Sequence, residues 1–150
     1  MSQRPSQRES AIGALFAVLG QLPLGTSGTT VKRNAALPER IADHAMAILR
    51  DGEMGEPEVS LSPLTYHWQH QVAIELFVAD PDAAARDERM DGLLVELATL
   101  IDIDRTLGGQ VEYAEIGPPK FDELAPDGTS GIKACLLPVV LHYSSAGPLS

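Results

Sequence analysis

The chain has 150 residues, 44% of them hydrophobic, and a formal net charge of −10 at pH 7. A chain of this size buries roughly 70% of the surface that it exposes when unfolded. We therefore predict one domain over residues 1–150, with flexible ends at 1–5 and 144–150. Residues 1–50 carry a net charge of +3 and residues 51–150 one of −13. That balance argues against gripping nucleic acid by its phosphates, because such binding requires Lys and Arg to replace condensed counterions.

The chain lacks the sequence features of an exported, membrane-spanning or disulfide-stabilised protein. No stretch approaches the roughly 20 consecutive apolar residues of a membrane span, and the opening MSQRPSQRES has no apolar run of the kind found in secretion signals. We therefore expect a soluble protein that is made in a cytoplasm. Cys135 is the only cysteine, and its position in the apolar run ACLLPVV predicts a buried, unreactive thiol without a disulfide partner.

A helix is predicted near the N-terminus. Ser6 is a typical N-cap residue, and Glu9, three residues later, completes a capping box. Gly20 and Pro23 are expected to end the helix. Its apolar stripe has the spacing of a face that packs on a core and consists of Ile12, Leu15, Phe16 and Leu19.

Two short strands and an acidic turn follow this helix. Residues 25–30 form a polar loop and 36–44 an irregular crossing, whereas TVKRN at 30–34 and MAILR at 46–50 are candidate strands. The segment DGEMGEPE at 51–58, which we call the acid loop, carries four acids and no base. Its glycines and proline predict a turn.

Residues 65–79 alternate between apolar and mostly polar side chains. One set holds Tyr66, Trp68, His70, Val72, Ile74, Leu76 and Val78, and the other holds His67, Gln69, Gln71, Ala73, Glu75 and Phe77. A period of two predicts a long strand, in which His67 and His70 point to opposite faces. The two histidines therefore cannot share one metal ion from this strand, and we predict no metal site here.

The length of this strand suggests that part of it projects beyond the core. Fifteen residues at about 3.3 Å each span on the order of 50 Å, at least twice the usual strand length. We predict a projecting hairpin made from EVSLS and TYHWQ, with Pro63 interrupting the register and a neighbouring subunit covering its free backbone groups. A bulged strand that curls over one small core is the alternative.

A second helix is predicted to begin at Asp80 as N-cap, with Pro81 in its first turn. Its apolar face consists of Met90, Leu93, Leu94, Leu97, Leu100 and Ile101. Residues 80–104 hold eight acids and two arginines, so the outer face of the helix is expected to be solvated. Gly108 in DRTLGG suits the left-handed position that terminates a helix.

The C-terminal part of the chain is expected to complete a sheet. QVEYAEI at 110–116 alternates as a strand, 118–130 is a loop, and GIKACLLPVVLHY at 131–143 is the last strand. Pro138 inside it predicts a bulge or a sheet edge, because proline cannot donate to a central ladder. The elements predict an α+β fold: an antiparallel or mixed β-sheet with two packed α-helices and the projecting long β-hairpin.

The sequence offers no catalytic or cofactor-binding motif. It contains no phosphate-binding glycine loop, dinucleotide fingerprint, zinc-protease helix, serine elbow or EF-hand loop, so we predict no enzyme activity, no cofactor and no metal. The four histidines, His44, His67, His70 and His142, lie on different elements. A site assembled by the fold stays an alternative, because catalytic triads are recognised by geometry and not by sequence order.

Several strings resemble a family of structural phage proteins. ILRDGEMGEPEVSLSPLTY, DRTLGG and PVVLHY, in this order and after an RESAIGALF helix, are similar to small tail-completion proteins of siphophages and prophages in alphaproteobacteria. The order helix, strands, helix, strands also resembles phage tail terminators of the minor tail protein U type. The resemblance covers nearly the whole chain and implies a six-membered ring that caps the tail tube, stops its polymerisation and offers a docking surface to the head connector.

The resemblance assigns no residue, but the charge pattern suggests where the surfaces of such a ring lie. An acidic wall repels phosphates, so DNA would pass through the channel at ejection without being bound. The candidate lumen acids are Glu53, Glu56, Glu58, Asp122, Glu123 and Asp127. The candidate subunit-interface residues are Lys32, Arg33, Arg40, His67, Gln69, Gln71 and Arg105. Solvated outer loops are the alternative for the acids.

The resemblance also implies the partners and the location. The expected partners are further copies of the chain in a hexamer, the tail tube protein and the head-tail connector or stopper protein, with no membrane. The expected location is the head-proximal end of the tail in the virion, after assembly in the cytoplasm of a bacterial host. Two alternatives stay open: a head-tail stopper or connector adaptor, and a small enzyme whose site lies at a subunit interface.

Overall fold

A computed structural model of the chain describes residues 4–22, 29–37, 45–121 and 131–150. These residues form two helices and seven strands. In chain order the elements are α1 (Gln7–Leu19), β1 (Thr29–Arg33), β2 (Ala45–Glu53), β3 (Glu58–Ser60), β4 (Thr65–Ala79), α2 (Ala83–Ile103), β5 (Tyr113–Ile116), β6 (Lys120–Phe121) and β7 (Ile132–Ser145). The three predicted loops lie partly outside these residues.

The strands of the described residues form one mixed sheet in the order β1-β2-β4-β7-β5, with β3 paired to β4 and β6 paired to β7. The pair β1–β2 is parallel and the other pairs are antiparallel. Together with the two helices, this sheet confirms the predicted α+β fold.

Each face of the sheet has its own cluster of buried side chains. On one face, which we call the helix face, Leu15 of α1 and Leu97 of α2 join Leu76 of β4 in the main core. On the opposite face, which we call the second face, a smaller cluster contains Phe77 and Ile48. Neighbouring residues of a strand point to opposite faces. Leu76 therefore lies in the cluster of the helix face, and the adjacent Phe77 lies in the cluster of the second face.

Helix α1 begins where the sequence predicts. The Ser6 side chain accepts a hydrogen bond from the Glu9 backbone N–H at 3.1 Å, which confirms the N-cap. The Glu9 carboxylate does not close the capping box, because it accepts from the guanidinium of Arg33 instead, with a 3.0 Å contact between Oε1 and Nη2. A charged donor outcompetes a neutral backbone N–H for a carboxylate.

Both ends of α2 differ from the prediction. The N-cap is Asp82, whose side chain accepts from the Ala85 N–H, whereas Asp80 accepts from the N–H of Asp82 and so lies before the helix. The predicted N-cap at Asp80, with Pro81 in the first turn, is therefore wrong. The helix ends at Ile103 with Asp104 as its C-cap, and Gly108 adopts its positive φ of 71° in the turn that follows.

Strand β4 has the predicted bounds, and its outer part forms the predicted hairpin with β3. Residues from Tyr66 to Ala79 pair with β7 without a break, and β3 adds only three pairs on the other side of β4. Pro63 lies in the turn between β3 and β4 and interrupts no register. The partner that covers the long strand is therefore β7 of the same subunit, where the sequence suggested a neighbouring subunit.

Pro138 lies inside a strand that is paired on both sides, without a bulge or a sheet edge. It stands opposite Ala73 in an unbroken register with β4. Its carbonyl accepts from the Gly117 N–H at 2.8 Å, so its donor-free nitrogen also points toward the gap between β5 and β6. An added Cβ on Gly117 would lie 2.8 Å from Pro138 Cγ. The break between β5 and β6 explains why the missing donor is tolerated.

The C-terminal residues are tied down, in contrast to the predicted free tail. Strand β7 continues to Ser145, whose Oγ accepts from the indole N–H of Trp68 at 2.9 Å. The carbonyl of Ser150 accepts from the Gln7 N–H at 3.1 Å, at the start of α1. The segment 144–150 therefore packs against the N-terminus of the first helix.

Candidate functional site

A groove of about 670 Å³ lies on the second face, over the outer part of β4. Gln69 and Gln71 lie along β4 in this groove, and Glu56 and Glu58 line it from the acid loop. Glu112, which precedes β5, lines the groove as well. We call it the polar groove. It brings together predicted interface residues and predicted lumen acids, which sequence reasoning had assigned to different surfaces.

A bulge in β2 positions the acid loop beside this groove. The register between β2 and β4 shifts between Arg50 and Glu53. Gly52 lies in the shift with a φ of +64°, and an added Cβ would lie 1.8 Å from the carbonyl oxygen of Gln71. Only glycine fits a left-handed backbone this close to a neighbouring strand. The bulge also makes residues 51–53 part of β2, where the sequence predicted a turn.

The carboxylates of the acid loop fall into two groups. Glu53, Glu56 and Glu58 are exposed, and their side chains form no ion pair with another described residue. Asp51, by contrast, is partly buried and bound by an arginine. The other three lumen candidates, Asp122, Glu123 and Asp127, lie outside the described residues.

Arg33 binds two carboxylates of its own subunit. Its Nε donates to Asp51 Oδ1 at 2.9 Å, and its Nη2 donates to Glu9 Oε1 at 3.0 Å. These hydrogen bonds lower the pKa of both Asp51 and Glu9 below their ordinary values and raise the pKa of Arg33. The sequence proposed Arg33 for a subunit interface, but its guanidinium links α1, β1 and β2 within one subunit.

A buried histidine fixes the start of the acid loop. His70 is 1% exposed, and its Nε2 lies 2.6 Å from the carbonyl oxygen of Asp51. Because a carbonyl only accepts, Nε2 carries the hydrogen, and Nδ1 accepts from the Tyr143 hydroxyl at 2.7 Å. Burial lowers the pKa of His70 and raises the pKa of Tyr143 to about 12.

Sequence reasoning placed His70 on the apolar face of the strand but missed this network. The alternation of β4 could have indicated that His70 is buried, because it puts His70 on the same face as Trp68 and Val72. Its partners could not be read from the sequence, because Asp51 is 19 residues away and Tyr143 is 73 residues away.

The opposite orientations of His67 and His70 are confirmed. His67 is exposed on the second face, and its Nε2 lies 2.9 Å from Ser60 Oγ. This serine–histidine pair has the reach of a nucleophile and a general base. Within the described part of the chain, however, the other ring nitrogen of His67 has no acceptor to orient it. Among the described residues, the pair therefore has no third member of the kind on which triad chemistry depends.

A second histidine of the polar groove is held by β5. His142 Nε2 lies 2.9 Å from Glu115 Oε1, and its ring stacks on Tyr113 with the centroids 4.0 Å apart. Sequence reasoning named His142 only as a scattered histidine. The stacking follows from the register, because Tyr113 stands directly opposite His142.

The remaining interface candidates are spread over the subunit. Lys32 is exposed on β1, and Arg105 forms an exposed ion pair with Asp102 at 2.8 Å. Arg40 lies outside the described residues. Neither Lys32 nor Arg105 lines the polar groove with Gln69 and Gln71.

No His, Cys, Asp and Glu side chains of the described ranges form a group of three or more with the geometry to hold a metal ion. Cys135 is buried as predicted, and burial raises the pKa of its thiol. A raised pKa disfavours the thiolate, which is the form that binds metals and attacks electrophiles.

Comparisons with known proteins give no family. No protein-family model matches the chain, and no curated protein sequence matches it either. Neither helix in the described residues is long and apolar enough to cross a membrane.

Proposed function

We propose that the protein is a structural tail-completion protein of a phage or prophage, and specifically a tail terminator. In this proposal about six copies form a ring that caps the tail tube, stops its polymerisation and docks the head connector. The ring acts by shape and recognition, without catalysis or a cofactor. Its place is the head-proximal end of the virion tail, after assembly in the cytoplasm of the bacterial host.

The sequence resemblance supports the proposal because it falls on one structural unit. The string ILRDGEMGEPEVSLSPLTY runs from β2 through the bulge and the acid loop to the start of β4. The backbone explains why glycines stand in this string, because Gly52 and Gly55 both adopt positive φ. The string PVVLHY lies in β7, the strand that pairs with β4 along its length.

The observation that carries the proposal is the set of exposed carboxylates beside the polar groove. Glu53, Glu56 and Glu58 extend from one loop and form no ion pair with the described residues. Repeated around a ring, they would line a channel with negative charge. Such a wall repels phosphates, so DNA slides past it without adhesion.

The first experiment measures the mass of the purified protein by light scattering, with negative-stain images of the same sample. A ring of six subunits of 16.0 kDa has a mass of about 96 kDa. Added to polymerising tail tubes, the protein is expected to bind tube ends and stop growth. Absence of rings, both alone and with tube ends, would overturn the proposal. Rings that bind a portal or connector protein but ignore tubes would favour the head-tail stopper.

The second experiment reverses the charge of the acid loop. Replacing Glu53, Glu56 and Glu58 by Lys is expected to leave the fold intact and to slow DNA passage during ejection, because the new cations attract phosphates. A control adds positive charge elsewhere, by replacing Glu88 and Glu96 of α2 by Lys. Equal ejection rates for the acid-loop variant and this control would remove the acid loop from the channel wall.

A further inference from the structure

The turn between β3 and β4 exposes a cluster of aliphatic side chains. Val59 is 52% exposed, Leu61 77% and Leu64 48%. We call residues 59–64 the hairpin tip. Scattered exposed leucines are ordinary, whereas several apolar side chains on one short projection are typical of a contact surface.

The hairpin tip is held in one conformation. Ser60 Oγ and His67 Nε2 form a 2.9 Å hydrogen bond across the hairpin, and Thr65 Oγ1 donates to the Pro63 carbonyl at 3.1 Å. Three register pairs between β3 and β4 anchor its base. An apolar projection that is already ordered loses little conformational entropy when it binds, which favours association.

The subunit also has an apolar groove, at the other side of the sheet. It lies between α2 and the connection from β5 to β6, and its volume is about 230 Å³. Leu94, Val95 and Ala98 line it from the helix, and Ile116 and Pro119 line it from the strands. An engineered apolar cavity of about 150 Å³ accepts a benzene ring, so this apolar groove has room for one or two aliphatic side chains.

A hairpin tip cannot reach the apolar groove of its own subunit. The groove residue Ile116 stands opposite Val139, which pairs with Val72 of β4. Thr65, where the tip joins β4, lies seven residues from Val72, or roughly 23 Å along the strand. In addition, β3 lies on one side of the β4–β7 pair and β5 on the other. Only the tip of a second copy can enter the groove.

Charge also favours the hairpin tip as the occupant. Residues 59–65 contain no charged side chain. On the exposed face of α2 around the groove, Asp102 is paired with Arg105 at 2.8 Å, whereas Asp91 forms no ion pair with another described residue. The rim therefore carries a net negative charge, which repels an acidic occupant and leaves an uncharged apolar tip unopposed. Ile103 is also exposed and aliphatic, but it directly follows Asp102 on the same helix, so a carboxylate would accompany it into the groove.

We propose that the hairpin tip of each subunit inserts into the apolar groove between α2 and β5 of the next copy of this chain. The two surfaces differ, so the contact is head-to-tail, the type that builds a closed ring when the rotation closes. Leu61 and Val95 form its centre, because Leu61 is the most exposed apolar side chain of the tip and Val95 lines the groove from α2. This contact rests on the proposed ring and specifies what joins its subunits.

A cysteine pair tests the contact directly. Leu61→Cys combined with Val95→Cys is expected to give covalent dimers and larger species under mild oxidation, because the two positions meet between copies. The native Cys135 is buried and does not compete. The control combines Leu61→Cys with Ile103→Cys, which is 75% exposed but lies two helical turns beyond Val95. Equal cross-linking in both pairs, or none in either, would overturn the contact.

Charged variants test it without oxidation. Leu61→Glu and Val95→Glu are each expected to lower the mass in solution to that of a monomer, with melting temperatures within a few degrees of the parent. Mixed together, they keep one intact tip and one intact groove, so they are expected to form a dimer of about 32 kDa, twice 16.0 kDa, and nothing larger. Ile103→Glu is the control and is expected to assemble like the parent.

The outcomes separate this contact from the proposed function. If the parent forms rings and both charged variants form the same rings, the tip-groove contact is wrong and the terminator proposal stands. If the parent stays monomeric at all concentrations and on tube ends, and the cysteine pair gives no cross-link, both are wrong.

Discussion

The two halves of β4 differ in how they are covered, although they belong to one continuous strand. From Ile74 to Val78 every residue is buried, whereas from Thr65 to Val72 buried residues alternate with exposed or half-buried ones. In the inner half the helices cover one face, and Phe77 lies in a second cluster on the other. In the outer half only the helix face is covered.

This difference explains where the surfaces of the molecule lie. A strand that is buried on both faces presents no side chain to a partner. Its charged residue, Glu75, is paired with Arg50 Nη2 of the same subunit at 3.0 Å. A strand that is buried on one face presents every second side chain. His67, Gln69 and Gln71 are therefore free to line the polar groove, and the hairpin tip lies at the same end.

The largest expected effect comes from the second face of the inner half. Phe77→Ala removes a fully buried ring and is expected to lower the free energy of unfolding by about 3–5 kcal/mol. Gln69→Ala changes an exposed side chain on the same face of the outer half and is expected to cost less than about 0.5 kcal/mol. Urea unfolding measures both. Similar costs for the two variants would abolish the distinction between the halves.

The next effect concerns the bulge at the junction of the two halves. Gly52→Ala is expected to cost about 3 kcal/mol, because it adds a Cβ at positive φ and against the Gln71 carbonyl. Gly55 has a similar φ of +71° but open space around its Cα, so Gly55→Ala is the matched control and should cost about 1–2 kcal/mol. If urea unfolding shows equal losses of unfolding free energy for the two variants, the close approach of Gly52 to the Gln71 carbonyl oxygen adds nothing to the cost of a Cβ.

Local patterns predicted the fold where local interactions decide it. The alternation of residues 65–79 gave the bounds of β4, and Ser6 caps α1 as expected. The prediction of Asp80 as N-cap was wrong because an aspartate stands on each side of Pro81 and either side chain can accept a backbone N–H. Only the position of the first helical turn distinguishes them.

Long-range interactions account for the rest. The Glu9 carboxylate leaves its capping box for Arg33, 24 residues away, and β7 rather than β3 covers the long strand. The sequence placed Gln69 and Gln71 on a polar face, but it could not place the acid loop beside them, because that depends on the register shift at Gly52.

A smaller effect is expected from the buried His70 of the outer half, as a dependence of stability on pH. Burial lowers the pKa of His70 below its ordinary 6.5, so below pH 6.5 the unfolded chain binds more protons than the folded one. The contribution of His70 to stability is therefore complete above pH 6.5 and is lost as the pH falls from 6.5 through its lowered pKa. Glu9 and Asp51, whose pKa values are lowered from 4.5 and 3.8, lose their contributions only in more acid solution.

Urea unfolding between pH 8 and pH 5 separates the two faces of the outer half. His70→Gln is expected to be less stable than the parent at pH 8, because the Asp51 carbonyl and the Tyr143 hydroxyl lose their partner, but to lose less stability on acidification. Gln69→Ala, which changes a side chain without a titratable group on the exposed face, should keep the slope of the parent. A parent-like slope in His70→Gln would show that another group causes the acid sensitivity.

The smallest effect extends the same comparison to β1, where two adjacent cations point to opposite faces. Arg33→Gln is expected to lower the free energy of unfolding by about 1 kcal/mol, because the carboxylates that it binds are each 44% exposed and partly screened by solvent. Lys32→Gln, on the exposed face, should change stability by less than about 0.5 kcal/mol. Added salt should weaken the parent and Lys32→Gln but hardly affect Arg33→Gln. If Arg33→Gln instead kept full stability and lost only assembly, Arg33 would act between subunits, as its charge alone first suggested.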